Sequence, residues 1–140
     1  MTEESRRATS ERMRRVRSKD TAPEMRVRRL VHGLGYRYRL HAPDLPGTPD
    51  LVFRGRKKVI FVHGCYWHRH PGCKRASTPR ERRDYWQAKF DRNVARDTRN
   101  LADLRAEGWD ALVVWECELK DEQHLRNAIN NFLGLNYGKG

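Results

Sequence analysis

The stretch Lys58-Val-Ile-Phe-Val-His-Gly-Cys-Tyr-Trp-His-Arg-His-Pro-Gly-Cys73 joins a strand to a loop that carries most of the chain's chemistry. Its first part, Lys58–Val62, is a continuous run of branched and aromatic side chains, which predicts a strand buried on both faces. Between Phe61 and Cys73 stand three of the six histidines, two of the three cysteines and the pair Tyr66-Trp67. A fold has no structural need to gather so many metal-ligating and stacking side chains behind one strand. The rest of the chain therefore reads as a support for this loop.

Toward the N-terminus, Leu45-Pro-Gly-Thr-Pro49 is turn chemistry that delivers Asp50 at the start of a strand, Asp50–Phe53, and Arg54-Gly-Arg-Lys57 turns back into the buried strand. Tyr36–Leu40 alternates Tyr and Arg, the pattern of a half-exposed strand with its basic side outward. Thr21-Ala-Pro-Glu24 is a capping box with proline just inside a helix start. Val27, Leu30, Val31 and Leu34 follow at helical spacing, and Gly33 and Gly35 supply the stop. Glu24 falls at the edge of that apolar face, as a capping partner alone or as a catalytic acid. Residues 1–20 hold seven arginines and lysines and almost no large apolar side chains, so they predict a flexible basic arm ahead of a domain spanning 21–140.

Toward the C-terminus, Thr78-Pro-Arg-Glu81 is a second capping box, opening a long helix to about Glu107 with the apolar stripe Trp86, Phe90, Val94, Leu101 and Leu104. Asp97 falls in the middle of that stripe, where an acid is costly unless a partner receives it. Gly108 ends the helix, Ala111–Trp115 is a buried strand with Glu116-Cys117 at its end, and Glu122–Leu133 is a last helix. The order helix, three strands, helix, strand, helix predicts one α/β domain. Its mixed central sheet begins as a hairpin and reaches the last strand by a helical crossover.

The chain has 140 residues, with 30 Lys and Arg against 18 Asp and Glu, a net charge of +12. That excess attracts polyanions, and with four Trp and five Tyr able to stack on bases, nucleic acid is the first candidate. No apolar run approaches the ~20 residues of a membrane span. The polar, Arg-rich start is unlike a secretory signal, so a cytoplasmic protein with reduced thiols is expected, and Cys beside His points to metal.

Cys65, His70 and Cys73 in one loop, with Cys117 on a distant strand end, make a Cys₃His set suited to tetrahedral zinc. His63 and His68 are also within reach, so count alone does not force the fourth ligand. Asp50, Asp97 and Glu24, if brought together, would repel one another unless they held a hard cation. Oxygen ligands of this kind suit Mg²⁺ in phosphodiester chemistry, with His68 available as general base.

Leu45-Pro-Gly-Thr-Pro-Asp50, Val59-Ile-Phe-Val-His-Gly-Cys-Tyr-Trp-His68, Asn93-Val-Ala-Arg-Asp97 and Val114-Trp-Glu-Cys117 together resemble the motifs of the very short patch repair (Vsr) endonucleases. Asp20-Thr-Ala-Pro-Glu24 resembles that family's N-terminal motif. The resemblance implies a restriction-endonuclease-like fold with a zinc-bound loop, and a nick 5′ to the T of a T:G mismatch left by deamination of 5-methylcytosine. It implies Mg²⁺ on Asp50 and the Val62 carbonyl, His68 as base or leaving-oxygen partner, Glu24 and Asp97 on metal-held waters, and His63 at the scissile phosphate. It further implies structural zinc on Cys65, His70, Cys73 and Cys117, and Tyr66, Trp67 and Trp86 wedged beside the mismatch. The basic arm would lie along the minor groove. The implied partners are double-stranded DNA with a T:G mismatch, a cognate cytosine-5 DNA methyltransferase and mismatch-repair factors. The implied setting is a prokaryotic, nucleoid-associated monomer. Val62 stands where well-known members carry Thr, and Arg69 with Pro71-Gly72 interrupts a histidine-rich run. Phe61 and His63 occupy the places of the wider superfamily's Glu-x-Lys.

Two other readings compete. A zinc-containing DNA-binding module gains nothing from three acids beside a phosphate. An ordinary duplex nuclease has no use for an aromatic wedge, the alternative for Tyr66 and Trp67 being to fill space beneath the loop.

Overall fold

The computed structural model describes residues 21–134, and the basic arm expected over 1–20 lies outside them. Helix α1 (Ala22–Gly33) begins where the sequence predicts. Thr21 is extended, its hydroxyl accepts the Glu24 N–H at 3.3 Å, and Pro23 lies in the first turn. Glu24, expected at the edge of the apolar face, is instead buried with 1% of its surface exposed.

Strands β1 (Arg39–Leu40), β2 (Leu51–Phe53) and β3 (Lys58–His63) follow, with a 3₁₀ turn at Arg54–Arg56. Helix α2 (Arg83–Ala106) crosses to β4 (Asp110–Trp115), and a 3₁₀ turn at Glu116–Lys120 leads into α3 (Glu122–Gly134). The sheet order is β1-β2-β3-β4, antiparallel up to β3 and parallel between β3 and β4. This is the mixed sheet expected from the order of elements, with α2 as its crossover.

Alternation along the strands sorts side chains into two cores. Leu51, Phe53, Ile60 and Val114 pack with Val27 and Val31 of α1 and Leu125, Ile129 and Leu133 of α3. Val52, Val59 and Phe61 pack on the opposite face with Leu104 and Trp109. Val59 and Ile60 are fully buried, as the apolar run of β3 requires.

Three elements differ from expectation. The predicted strand Tyr36–Leu40 shortens to two residues because its tyrosines serve the helices. The Tyr36 hydroxyl donates to Asn130 Oδ1 at 3.1 Å, and that of Tyr38 to the Arg28 carbonyl at 3.3 Å. Thr78 does not start α2, since its hydroxyl accepts from Arg69 and the helix begins only after Arg82, a left-handed residue at φ 55°. Val94, assigned to the apolar stripe, is 41% exposed. The inward face runs instead through Trp86, Phe90, Asn93, Asp97, Leu101 and Leu104.

Several cations turn inward. The Lys58 amine, 5% exposed, bonds the Phe132 carbonyl, and Arg56 Nη1 reaches the Leu133 carbonyl at 3.1 Å, both at the negative end of α3. Arg26 bonds the Leu119 carbonyl at 3.0 Å. Among the described residues, no helix is long and apolar enough to cross a membrane.

Candidate functional site

The face of the sheet that packs on α2 also carries the catalytic candidates. Phe61 and His63 share it by strand alternation, and Asp50 precedes Val52 by two residues on the same face. The Leu45–Pro49 turn presses against α2 here. A Cβ on Gly47, at φ 78°, would lie 3.0 Å from the Asn100 side chain, so glycine is what lets the turn close. The loop after β3 then folds back and lays His68 on His63, ring centroids 3.8 Å apart and 7° from parallel.

His68 Nδ1 lies 2.7 Å from Asp97 Oδ2, so the misplaced acid of the helix stripe finds its partner. An Nδ1–H donated to the carboxylate fixes the tautomer and leaves Nε2 as the basic atom. Asp50, His63, His68, Arg96 and Asp97 line one cleft of about 340 Å³. Asp50 Oδ2 accepts the Val62 N–H at 2.7 Å. Burial nevertheless pushes its carboxyl up to about 7 against that amide, and the Glu24 carboxylate adds to the rise. His63 is buried, which lowers it to about 4, with His68 adding repulsion. His63 is therefore neutral at pH 7, and its Nδ1 has no hydrogen-bond partner among the described residues.

Glu24 reaches the same region from α1. One ligand atom each of Glu24, His41 and Asp50 lies within 4.8 Å of the others. Glu24 Oε2 also pairs with Arg28 Nη2. A desolvated Asp50 beside a second acid is a site that a hard divalent cation would relieve, and its oxygen donors fit Mg²⁺ better than a softer ion.

The four predicted zinc ligands converge on a second group: ligand atoms of Cys65, His70, Cys73 and Cys117 all lie within 4.8 Å of one another. His70 Nδ1 is 3.4 Å from Cys117 Sγ and 3.7 Å from Cys65 Sγ. A tetrahedral zinc with ordinary bond lengths sets that N–S edge at about 3.6 Å, so the residues fit the ion. Burial raises the Cys65 thiol to about 12, while the Arg75 backbone N–H draws Cys73 down. Trp115 links the two groups. It stacks on His70 at 4.3 Å and meets His63 edge-on at 5.2 Å, because His63 and Trp115 are the last paired rung of β3 and β4.

Tyr66, Trp67 and Trp86 surround Phe90 of α2, at ring distances of 5.2, 6.2 and 6.1 Å. Phe90 is fully buried and the other three are half-buried, so these rings fill space beneath the loop and also keep part of their surface exposed. Arg69 clamps this wall. Its guanidinium lies 3.9 Å from the Phe90 ring and donates to the carbonyls of Tyr66, Ala76 and Ser77 and to the Thr78 hydroxyl. Sequence reasoning missed His41 and Arg96. Neither stands in a ligand-like spacing, though Arg96 adjoins Asp97.

Known proteins resemble this chain in sequence and in fold. A sequence profile described as DNA mismatch endonuclease Vsr matches residues 1–75. The type II nicking enzyme V.XorIIP of Xanthomonas oryzae pv. oryzae is 54% identical over 121 residues, covering 86% of this chain and 88% of that protein. The chain belongs to the Vsr family of DNA mismatch endonucleases. The Escherichia coli member named DNA mismatch endonuclease Vsr is 40% identical over 83% of this chain and 74% of its own length. The catalytic domain of homing endonuclease I-Bth0305I superposes with a TM-score of 0.57 at 24% identity, covering 81% of this chain and 94% of that domain. The Vsr chain thus has the restriction-endonuclease-like fold expected of it, and DNA is its substrate.

Proposed function

We propose that this enzyme nicks DNA 5′ to the T of T:G mismatches that arise when 5-methylcytosine deaminates, and so starts very short patch repair beside a cytosine-5 DNA methyltransferase. The observation that carries the reading is the His68–Asp97 pair facing Asp50 across one cleft. Mg²⁺ held by Asp50 and the Val62 carbonyl, with Glu24 on its bound water, would supply Lewis-acid stabilisation of charge building on the phosphoryl oxygens. Hydrolysis adds a water's hydroxyl to phosphorus and returns its proton to the departing oxygen. His68 Nε2 is the group to move that proton, and Asp97 keeps the ring aligned while it is charged. His63, neutral and stacked beneath His68, keeps a second cation away from it and offers a polar edge to the phosphate. Zinc on Cys65, His70, Cys73 and Cys117 would tie the loop bearing His68 to the end of β4.

The test is a strand-labelled nicking assay with Mg²⁺ on T:G, A:T and G:C duplexes of otherwise equal sequence. Cleavage confined to the T strand of T:G supports the reading, and equal cleavage of all three removes it. The wall around Phe90 makes a separate prediction. Trp67→Ala should lose stacking worth ~1–3 kcal/mol and weaken T:G binding by roughly one to two orders of magnitude. Fully paired duplex, held mainly by phosphate contacts, should change far less. Equal losses on both duplexes, with circular dichroism unchanged, would assign Trp67 to the general DNA surface or the core.

A further inference from the structure

Glu24, His63 and Lys58 are the buried polar or charged side chains among the described residues, and Glu24 is the only acid of the three. His41 Nε2 lies 2.7 Å from Glu24 Oε2. At that distance an imidazole nitrogen and a carboxylate oxygen must share a proton, so Nε2–H donates to Glu24. Arg28 Nη2 donates to the same oxygen, and its 3.5 Å approach to His41 Nε2 is then a contact between two donors.

The backbone aims the ring. His41 has φ 47°, in the left-handed region that histidine enters more readily than most side chains. Its N–H donates to the Asp50 carbonyl at 3.2 Å, one rung beyond the Leu40–Leu51 pair of β1 and β2. One residue thus grips the main chain of Asp50 and the side chain of Glu24 together.

We propose that His41 is a positioning residue, which locks the Glu24 carboxylate and the Asp50 backbone into one unit and so presets the two acids for a divalent cation. This rests on Asp50 and Glu24 being the acids of the metal site. A ligand set held by such outer partners binds metal about 10–100-fold better than one left loose.

Two variants of the full chain separate positioning from packing. His41→Leu removes the donor while filling the space, and His41→Gln returns an N–H of similar reach. Mn²⁺ binding to the T:G complex, read by electron paramagnetic resonance, should weaken about tenfold in His41→Leu and stay within about threefold of the parent in His41→Gln. The Mg²⁺ concentration for half-maximal nicking should follow the same order, with metal-free T:G affinity unchanged. Imidazole ¹⁵N shifts of the parent protein should show His41 protonated at Nε2, a readout independent of any variant's folding. A bare Nε2, an unimpaired His41→Leu, or equal loss in both variants would overturn the proposal. Glu24→Gln tells the two levels apart. If it leaves Mn²⁺ binding and the Mg²⁺ response unchanged, the reading of the metal site fails and takes the His41 proposal with it. If Glu24→Gln is impaired and His41→Leu is not, only His41 is misassigned.

Discussion

Asp50→Ala should reduce nicking of T:G duplex by at least ~10³-fold, the scale of losing several kcal/mol of transition-state charge stabilisation. Binding to the same duplex should be retained or should tighten, because a negative charge beside the phosphate is gone. Stability is the informative control. The variant leaves the Val62 N–H without its 2.7 Å acceptor, which costs about 1–3 kcal/mol if no water replaces it. It also removes a carboxyl that burial has raised to about 7, and the two effects oppose each other. Thermal unfolding should therefore move by only a few degrees while cleavage disappears. Cleavage that persists in Mg²⁺ would place the reaction at another part of the cleft, with Asp97 the next acid to replace.

Removing the proposed zinc should produce the largest change in stability. Elemental analysis of reduced protein should find about one zinc per chain, since a Cys₃His set is saturated by a single ion. Cys117→Ser should release it and lower the melting temperature by about 10 °C or more, given that structural zinc commonly contributes many kcal/mol to folding. Nicking should fall as well, although Asp50 is untouched. His70 stacks on Trp115, Trp115 meets His63, and His63 lies under His68, so a loosened loop leaves His68, the proposed base, without its floor. Zinc-free protein with the parent's melting temperature would show that the four ligands converge for another reason.

Much of this arrangement is written locally. The run Val59–Phe61 is apolar on both faces because helices cover both, and the Thr21 cap and the apolar positions of α1 need no distant partner. Asp97 could be singled out because an acid on an inward helix face must be answered, and His68 answers it. Cys65, His70, Cys73 and Cys117 could be grouped by ligand chemistry alone. What escaped depends on tertiary competition. The Thr78 capping box fails because Arg69 takes its hydroxyl, a contact no local pattern encodes. Tyr36 and Tyr38 mimic strand alternation while serving helices that lie far along the chain. His41 is hidden most deeply, since its role depends on a left-handed backbone and on an acid 17 residues away.

The cations that face inward alter how this protein should respond to ionic strength. Arg69 holds four oxygens of its own loop, Lys58 and Arg56 close the end of α3, Arg26 holds Leu119, and Arg28 holds Glu24. Association with a polyelectrolyte is driven by the small ions it sheds, with log Kobs falling by about 0.9 per phosphate neutralised for each unit of log salt. A cation already engaged by carbonyl or carboxylate oxygens of the fold displaces none of those ions. Of the 30 basic residues, these five belong to the fold's internal wiring. A relative with neutral side chains at those five places would have a much lower formal charge and yet the same salt slope on DNA.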